Sequence, residues 1–221
     1  MAIPLQTGLN DLSRELNETQ VNSSIARIGH YNDAVIDFTG ERKFPFTIKK
    51  NEGLTTLANT KEYSIPAAVL ADWRSPGAIK AIHIDTGEFL PIDWEDRNDS
   101  RYTGKKFFYI DPEETKITFT CDLGAAGQVV TIHYYFIPTR QSDTLTGTFA
   151  IPDRYRKIIA VLAAAYVQYS RYLDSQGNLK MNLYNRMMGK VVYQQSETHR
   201  NKPRKLQHFL QFRGFRRTYP R

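Results

Sequence analysis

The sequence has little of what secreted and membrane proteins depend on. Among its 221 residues only Cys121 is a cysteine, so no disulfide forms within the chain, and we expect synthesis in a reducing compartment. Its longest apolar run, residues 158–167, is far shorter than the ~20 residues that span a bilayer. The first sixteen residues lack a basic region followed by an apolar stretch, which predicts that there is no signal peptide.

Motifs of catalysis and cofactor binding are missing too. No HxxxH or HxH pair occurs, and a single cysteine argues against a structural zinc site. Neither a phosphate-binding glycine loop nor a nucleophile elbow is present. We therefore predict no catalytic residue, no metal site and no bound cofactor.

A few residues offer weaker hints of chemistry. The acidic cluster at residues 93–99 lacks the spacing of a calcium loop, so a solvated loop is expected. His83 and His133 alternate with apolar residues on β-type runs and are predicted to be ordinary sheet histidines. Gly124–Gly127 is predicted to be a turn, and Cys121 a small buried apolar residue.

Positive charge is concentrated at one end of the chain. The total is 30 Lys and Arg against 23 Asp and Glu, a net charge of +7. Residues 196–221 contain eight of the basic residues and one acidic residue, Glu197, which leaves 22 of each sign in residues 1–195. The body is thus balanced, and the excess positive charge lies entirely in a C-terminal tail.

Apolar spacing predicts helices at both ends of the chain. Leu9, Leu12 and Leu16 share one face of a short helix, and a second helix runs to about Glu41 with Asn22 or Ser23 as N-cap. Its apolar stripe is Ile25, Ile28, Tyr31, Val35 and Phe38. Near the C-terminus, helices over 154–173 and 179–197 flank a predicted turn at 174–178 and form an antiparallel hairpin.

Between these helices the sequence changes to short runs rich in Ile, Val, Thr, Phe and Tyr. Turn residues separate them at 51–53, 85–87, 111–114 and 124–127, which favours an antiparallel β-sandwich or small barrel. The predicted fold class is therefore α+β: a helical bundle built from both chain ends, with an inserted β module. The predicted parts are bundle helices (1–43), β domain and return loop (44–150), helical hairpin (151–198) and extended tail (199–221).

The tail combines cations with aromatic rings and is the candidate docking segment. Its candidate contact residues are Arg200, Lys202, Arg204, Lys205, Phe209, Phe212, Arg213, Phe215, Arg216, Arg217 and Tyr219. Two partners fit this chemistry. A protein groove would bury the rings as anchors and pair arginines with carboxylates, whereas nucleic acid would contact the cations through phosphates and the rings through base stacking. A third hypothesis is a carbohydrate-binding or host-binding module on the β region, suggested by Trp73 and Trp94.

Three stretches resemble a known family. They are IARIGHYNDAVIDF (25–38), KEYSIPAAVLADW (61–73) and the closing hairpin IPDRYRKIIAVLAAAYVQYSRYLDSQGNLKMNLYNRMMGKVVYQQ (151–195). Together they are similar to the head–tail adaptor proteins of tailed bacteriophages, also called connector or head-completion proteins. The resemblance covers residues 8–200.

That resemblance implies a structural, non-enzymatic role in the virion, for a protein made in the host cytoplasm. Such adaptors form a homo-oligomeric ring, typically of twelve copies, between the portal protein and a downstream tail or tail-completion protein. Double-stranded DNA then passes through the channel during genome ejection without sequence-specific binding. A C-terminal extension that packs on the portal implies the same role for residues 200–221. The alternative remains a nucleic-acid-binding assembly factor that uses its basic tail.

Overall fold

The computed structural model describes residues 2–200 except 22–23, 73–77, 86, 112, 114, 142–144 and 146, and from residue 192 onward it describes the backbone alone. The helices are α1 (Leu5–Glu15), α2 (Ile25–Glu41), α3 (Ala67–Asp72), α4 (Arg156–Ser170) and α5 (Asp174–Arg200). The strands are β1 (Ile3–Pro4), β2 (Ile48–Thr55), β3 (Glu62–Ser64), β4 (Ile79–Ile84), β5 (Gly87–Pro91), β6 (Phe107–Asp111), β7 (Lys116–Phe119), β8 (Val129–Tyr135) and β9 (Thr148–Phe149).

Helices from both ends of the chain share one hydrophobic core. The central helix is α4: its consecutive residues Ala163, Ala164 and Ala165 point in different directions and are all fully buried, because α1, α2 and α5 pack around it. The small strands β1 and β9 pair antiparallel and bring Ile3 and Phe149 into the same core. The predicted bundle is confirmed.

Aromatic rings close the core where the chain leaves α2. Phe38 stacks on Phe44 with ring centroids 4.8 Å apart, and Tyr155 packs against both rings. Each of these three side chains is buried. Such pairs add specific geometry to the burial of large apolar surfaces. These contacts therefore hold the chain in place between the end of α2 and the start of β2.

The β segment forms a second core inside a curled sheet. Its seven strands lie in the order β2-β8-β4-β5-β6-β7-β3, with every pairing antiparallel except β5–β6, which is parallel. The edge strands β2 and β3 are consecutive in the chain, so the connection 56–61 joins the two edges of the sheet. There the Tyr63 hydroxyl accepts a hydrogen bond from the Leu57 amide (3.0 Å) and donates to the Thr60 carbonyl (3.0 Å). This arrangement agrees with the predicted inserted β module of an α+β fold.

Four details of the prediction are corrected by the structure. The predicted turn at 51–53 is a bulge within β2: the register shifts between Asn51 and Leu54, and the Gly53 amide donates to the Asn51 side chain (2.9 Å). The predicted turn at 174–178 is instead the first turn of α5. The N-cap position of α2 is held by Ser24, and Asn22 and Ser23 lie outside the described residues.

The fourth correction concerns the stripe on α2. Ile28, Tyr31, Val35 and Phe38 are buried as predicted, but Ile25 is 71% exposed. Ile25 is the first residue of the helix, and the buried part of the stripe begins at Ile28, one turn later. The period of the stripe therefore holds, and only its first position lies outside the core.

Candidate docking surface

Of the predicted docking residues, only Arg200 lies among the residues that the structure describes, and it is the last of them. Arg200 ends α5, and its backbone alone is described. The other ten, from Lys202 to Tyr219, lie outside the described residues. What the structure does show is the helix that carries this segment and the surfaces around it.

The base of the segment is the tight hairpin between α4 and α5. Tyr172 adopts a left-handed backbone conformation (φ 59°), and the Leu173 amide donates to the Gln168 carbonyl (3.0 Å) to close α4. Gly177 then packs on Tyr169 so closely that a Cβ there would lie 2.5 Å from the ring. The glycine that suggested a turn thus serves a close helix–helix contact, which explains why the predicted turn was misplaced.

Polar contacts also attach α5 to the bundle. The Tyr169 hydroxyl donates to Asn178 (2.8 Å), and Lys180 forms an ion pair with Glu15 at the end of α1 (2.8 Å). Tyr184 and Met188 are buried against the core further along α5. The first part of α5, as far as Met188, is therefore anchored to the bundle.

The outer side of α5 carries exposed residues of two kinds. Leu179 is 70% exposed and Leu183 is 39% exposed, while Arg186 and Lys190 follow on the same side of the helix. In the part of the chain that the structure describes, neither of these two basic residues has an ion-pair partner. We call these four residues the α5 stripe.

The outer side of α2 carries carboxylates. Asp33, Asp37 and Glu41 recur every four residues, and they lie with Ala26 and His30 along one side of the helix. Asp33 pairs with Arg140 (2.5 Å), and Asp37 accepts a hydrogen bond from the Tyr166 hydroxyl (2.7 Å). Burial, followed by this hydrogen bond, raises the pKa of Tyr166 above its ordinary value, so the phenol remains a donor. We call Ala26, His30, Asp33, Asp37 and Glu41 the α2 stripe.

A groove of about 250 Å³ lies between the end of α2 and strand β8. Its lining includes Thr39, Lys43, Ala78, Tyr135 and Phe136. The Lys43 ammonium lies 5.7 Å from the centre of the Tyr135 ring, and Tyr135 is half-buried. The walls of the groove thus combine a cation, hydroxyl groups and aromatic rings.

The weaker candidates from the sequence do not assemble into a reaction site. His83 and His133 stack edge to face at 4.7 Å, and Nε2 of His83 lies 3.6 Å from Glu88. Burial and then the neighbouring His83 lower the pKa of His133. Among the described residues, no group of three or more His, Cys, Asp or Glu side chains is placed to hold a metal ion.

The remaining candidates have structural surroundings. Asp99 pairs with Arg101 (2.5 Å), just after the 3-10 helix Trp94–Asn98. Trp94 packs edge to face on Tyr109 at 5.4 Å, whereas Trp73 lies outside the described residues. Cys121 is partly buried against the β core, and burial raises the pKa of its thiol. Within the described part of the chain, no helix is long and apolar enough to cross a membrane.

Comparison with known families identifies the family of the chain. The family model described as SU10 adaptor protein matches residues 5–206, which takes in the bundle, the curled sheet and the hairpin. The chain belongs to the SU10 adaptor protein family. This is a family of phage head–tail adaptors, so the resemblance seen in the sequence is confirmed. No curated protein matches the chain.

Membership of the SU10 adaptor family gives the protein a structural role in a phage virion and suggests that it is not an enzyme. The match includes Arg200, Lys202, Arg204 and Lys205 but ends before Phe209. The aromatic half of the tail therefore lies beyond the matched residues. Portal and tail proteins are the partners that an adaptor implies.

Sequence analysis did not identify the two stripes. The available signal was the four-residue spacing of Asp33, Asp37 and Glu41 and of Arg186 and Lys190. That spacing marks one side of a helix. It becomes informative only after the buried side of each helix is known, because most solvated helices carry charges at such intervals.

Proposed function

We propose that this SU10-family adaptor forms a homo-oligomeric ring of about twelve copies below the portal of a tailed phage. The ring extends the DNA channel, offers a platform to the tail or a tail-completion protein, and docks on the portal through residues 199–221. The observation that carries the proposal is the family match over residues 5–206. It ends inside the segment that contains all of the excess positive charge.

The two separate hydrophobic cores support different roles for different parts of each copy. One hydrophobic core joins α1, α2, α4 and α5, and the other lies inside the curled sheet. We assign residues 1–43 and 151–198 to the bundle, 44–150 to the inserted β domain with its return loop, and 199–221 to docking. In this assignment the bundle positions the tail.

The charge balance of residues 1–195 suits a DNA conduit. A lumen rich in fixed positive charge would bind phosphates through counterion release and would slow the passage of DNA. With equal numbers of basic and acidic residues in the body, double-stranded DNA passes without sequence-specific binding during genome ejection. The finished protein then resides at the head–tail interface of the virion after synthesis in the host cytoplasm.

Repetition around a ring makes a modest docking segment effective. Once one tail has bound the portal, the others are held close to their own sites, so overall binding greatly exceeds that of one tail. Phe209, Phe212, Phe215 and Tyr219 supply anchors of the kind that dominate protein interfaces. The arginines between them supply bidentate contacts to carboxylates.

A second candidate function is supported by the same segment. Eight basic residues interleaved with aromatic rings would also bind phosphates and stack on bases. The protein would then be a nucleic-acid-binding assembly factor. These two functions differ in how binding responds to salt.

Binding measured against salt concentration separates the two candidates. We expect full-length protein to bind purified portal complexes with little change between 50 and 200 mM salt, because buried rings contribute most of the affinity. Its binding to a DNA duplex is expected to be weak. A log–log slope for DNA steeper than about −3, together with no portal binding, would favour the nucleic-acid function instead.

A further inference from the structure

The α5 stripe has the composition of an interface rather than of a solvated face. Leu179, Leu183, Arg186 and Lys190 follow the spacing i, i+4, i+7 and i+11, which places them on one side of the helix. The opposite side holds the buried Tyr184 and Met188. The stripe is thus apolar in its first half and basic in its second.

The α2 stripe has the same spacing with complementary chemistry. Ala26, His30, Asp33 and Asp37 also follow i, i+4, i+7 and i+11, and Glu41 continues the row. Burial lowers the pKa of His30, nearby Asp33 raises it and Arg27 lowers it, and the net effect disfavours the charged ring. The carboxylates of this stripe therefore lie in its second half.

Two charges on each stripe lack an ion-pair partner among the described residues, and they match in separation. The two carboxylates do have phenol neighbours: Asp37 accepts from Tyr166, and Glu41, after burial, raises the pKa of Tyr184. Arg140 already pairs with Asp33, which leaves Asp37 and Glu41 without a cationic ion-pair partner among the described residues. Arg186 and Lys190 are likewise without carboxylates there. Each pair is four residues apart, which corresponds to about 6 Å along a helix.

We infer that the α5 stripe of one copy binds the α2 stripe of a second copy, with the two helices parallel. This inference rests on the proposed ring. In this register Arg186 lies opposite Asp37 and Lys190 lies opposite Glu41. Leu179 then lies against His30, and Leu183 lies beside Asp33, whose charge is already paired with Arg140. An antiparallel pairing would also match both charge pairs, Arg186 with Glu41 and Lys190 with Asp37. It would, however, place both leucines beyond Glu41, where α2 ends, so only the parallel pairing lays the whole α5 stripe along α2.

A second copy of this chain is the occupant that the observations favour. The two complementary surfaces lie on different helices of one chain, and no ion pair joins α2 to α5 within the described part of a single copy. Contact between two different patches generates a head-to-tail series, which closes into a ring when the rotation permits. The balanced charge of the body adds little overall repulsion between copies.

Charge reversal tests the pairing directly. One variant carries Asp37→Lys and Glu41→Lys, and another carries Arg186→Glu and Lys190→Glu. Assembly of the full-length chain, alone and on purified portal complexes, is followed by mass photometry. We expect each variant alone to assemble at least tenfold more weakly than the wild type. An equimolar mixture is expected to recover assembly, because each variant then meets an opposite charge on its neighbour.

A matched control reverses the same number of charges elsewhere. Lys80→Glu with Lys105→Glu changes two exposed basic residues of the β segment and is expected to assemble like the wild type. If both stripe variants also assemble like the wild type, the inferred contact is wrong while the ring itself stands. If the wild type never assembles, even on the portal, both the contact and the proposed ring are wrong.

A crosslink provides a test that does not depend on charge reversal. It reads the neighbouring residue directly, and its Asp37→Cys chain loses the Tyr166 hydrogen bond just as Asp37→Lys does. In a Cys121→Ser background, one chain carries Asp37→Cys and a second, of different mass, carries Arg186→Cys. Mild oxidation of an assembled mixture is expected to link the two different chains and to give few links between identical ones. Links only between identical chains, or none in assembled material, would overturn the inferred contact.

Discussion

Deletion of residues 200–221 is expected to leave a folded protein that no longer joins DNA-filled heads to tails. The last buried side chain described on α5 is Met188, and Val191 packs partly against the same core, so the deletion begins beyond the residues that stabilise the bundle. Thermal melting should therefore be close to that of the full chain. Joining, counted as infectious particles formed in an assembly extract, should fall by at least a hundredfold because every copy in the ring loses its contact.

Two substitution variants show whether the rings or the arginines of residues 200–221 are responsible for joining heads to tails. Replacing Phe209, Phe212, Phe215 and Tyr219 by Ser keeps all eight basic residues, and we expect it to abolish joining nearly as completely as the deletion. Replacing Arg213, Arg216 and Arg217 by Gln keeps the rings and should weaken joining less. The reverse ranking would favour nucleic acid as the partner, and normal joining by the deletion variant would contradict docking altogether.

Glu18→Gln is expected to destabilise the bundle by about 3 kcal/mol. Arg27 is only 4% exposed, and its guanidinium donates to the Glu18 carboxylate, which also accepts from Arg171 (3.0 Å). Burial lowers the pKa of Arg27, whereas Glu18 raises it and Arg171 lowers it. Without the carboxylate, a buried cation faces a second cation, and the melting temperature should fall by about 10 °C for a chain of this size.

A control and a rescue distinguish this effect from a general loss of surface charge. Glu52→Gln removes the partner of Lys50 in an exposed pair and should cost less than about 0.5 kcal/mol. Combining Glu18→Gln with Arg27→Met removes both buried charges and should recover much of the lost stability. Equal melting temperatures for Glu18→Gln and Glu52→Gln would show that the buried pair does not contribute as described.

Periodicity predicted the helices well because the bundle buries one continuous side of each. The row Ile28, Tyr31, Val35 and Phe38 lies on the α4 side as the spacing required, and α1 follows the same rule with Leu9 and Leu12. Glycine and asparagine were less reliable guides, because each has more than one structural use. At 51–53 they form a bulge within β2, and at Gly177 the missing side chain admits the Tyr169 ring.

Long-range features were beyond sequence analysis for a related reason. The parallel pairing of β5 with β6 depends on the path of the connection over residues 92–106. The short strands β1 and β9 form only because residues 3–4 meet residues 148–149, which are distant in the sequence. The docking segment was found from composition, since charge and aromatic content are visible without a fold. The two stripes were not found, because their meaning depends on which side of α2 and α5 the core has already taken.

Images of portal complexes mixed with the full chain, or with a chain ending at residue 199, test the central claim most directly. We predict an added ring of about twelve copies below the portal with the full chain and bare portals with the shortened one. Rings with both chains would show that residues 200–221 do not dock the adaptor. Bare portals with both would contradict the ring.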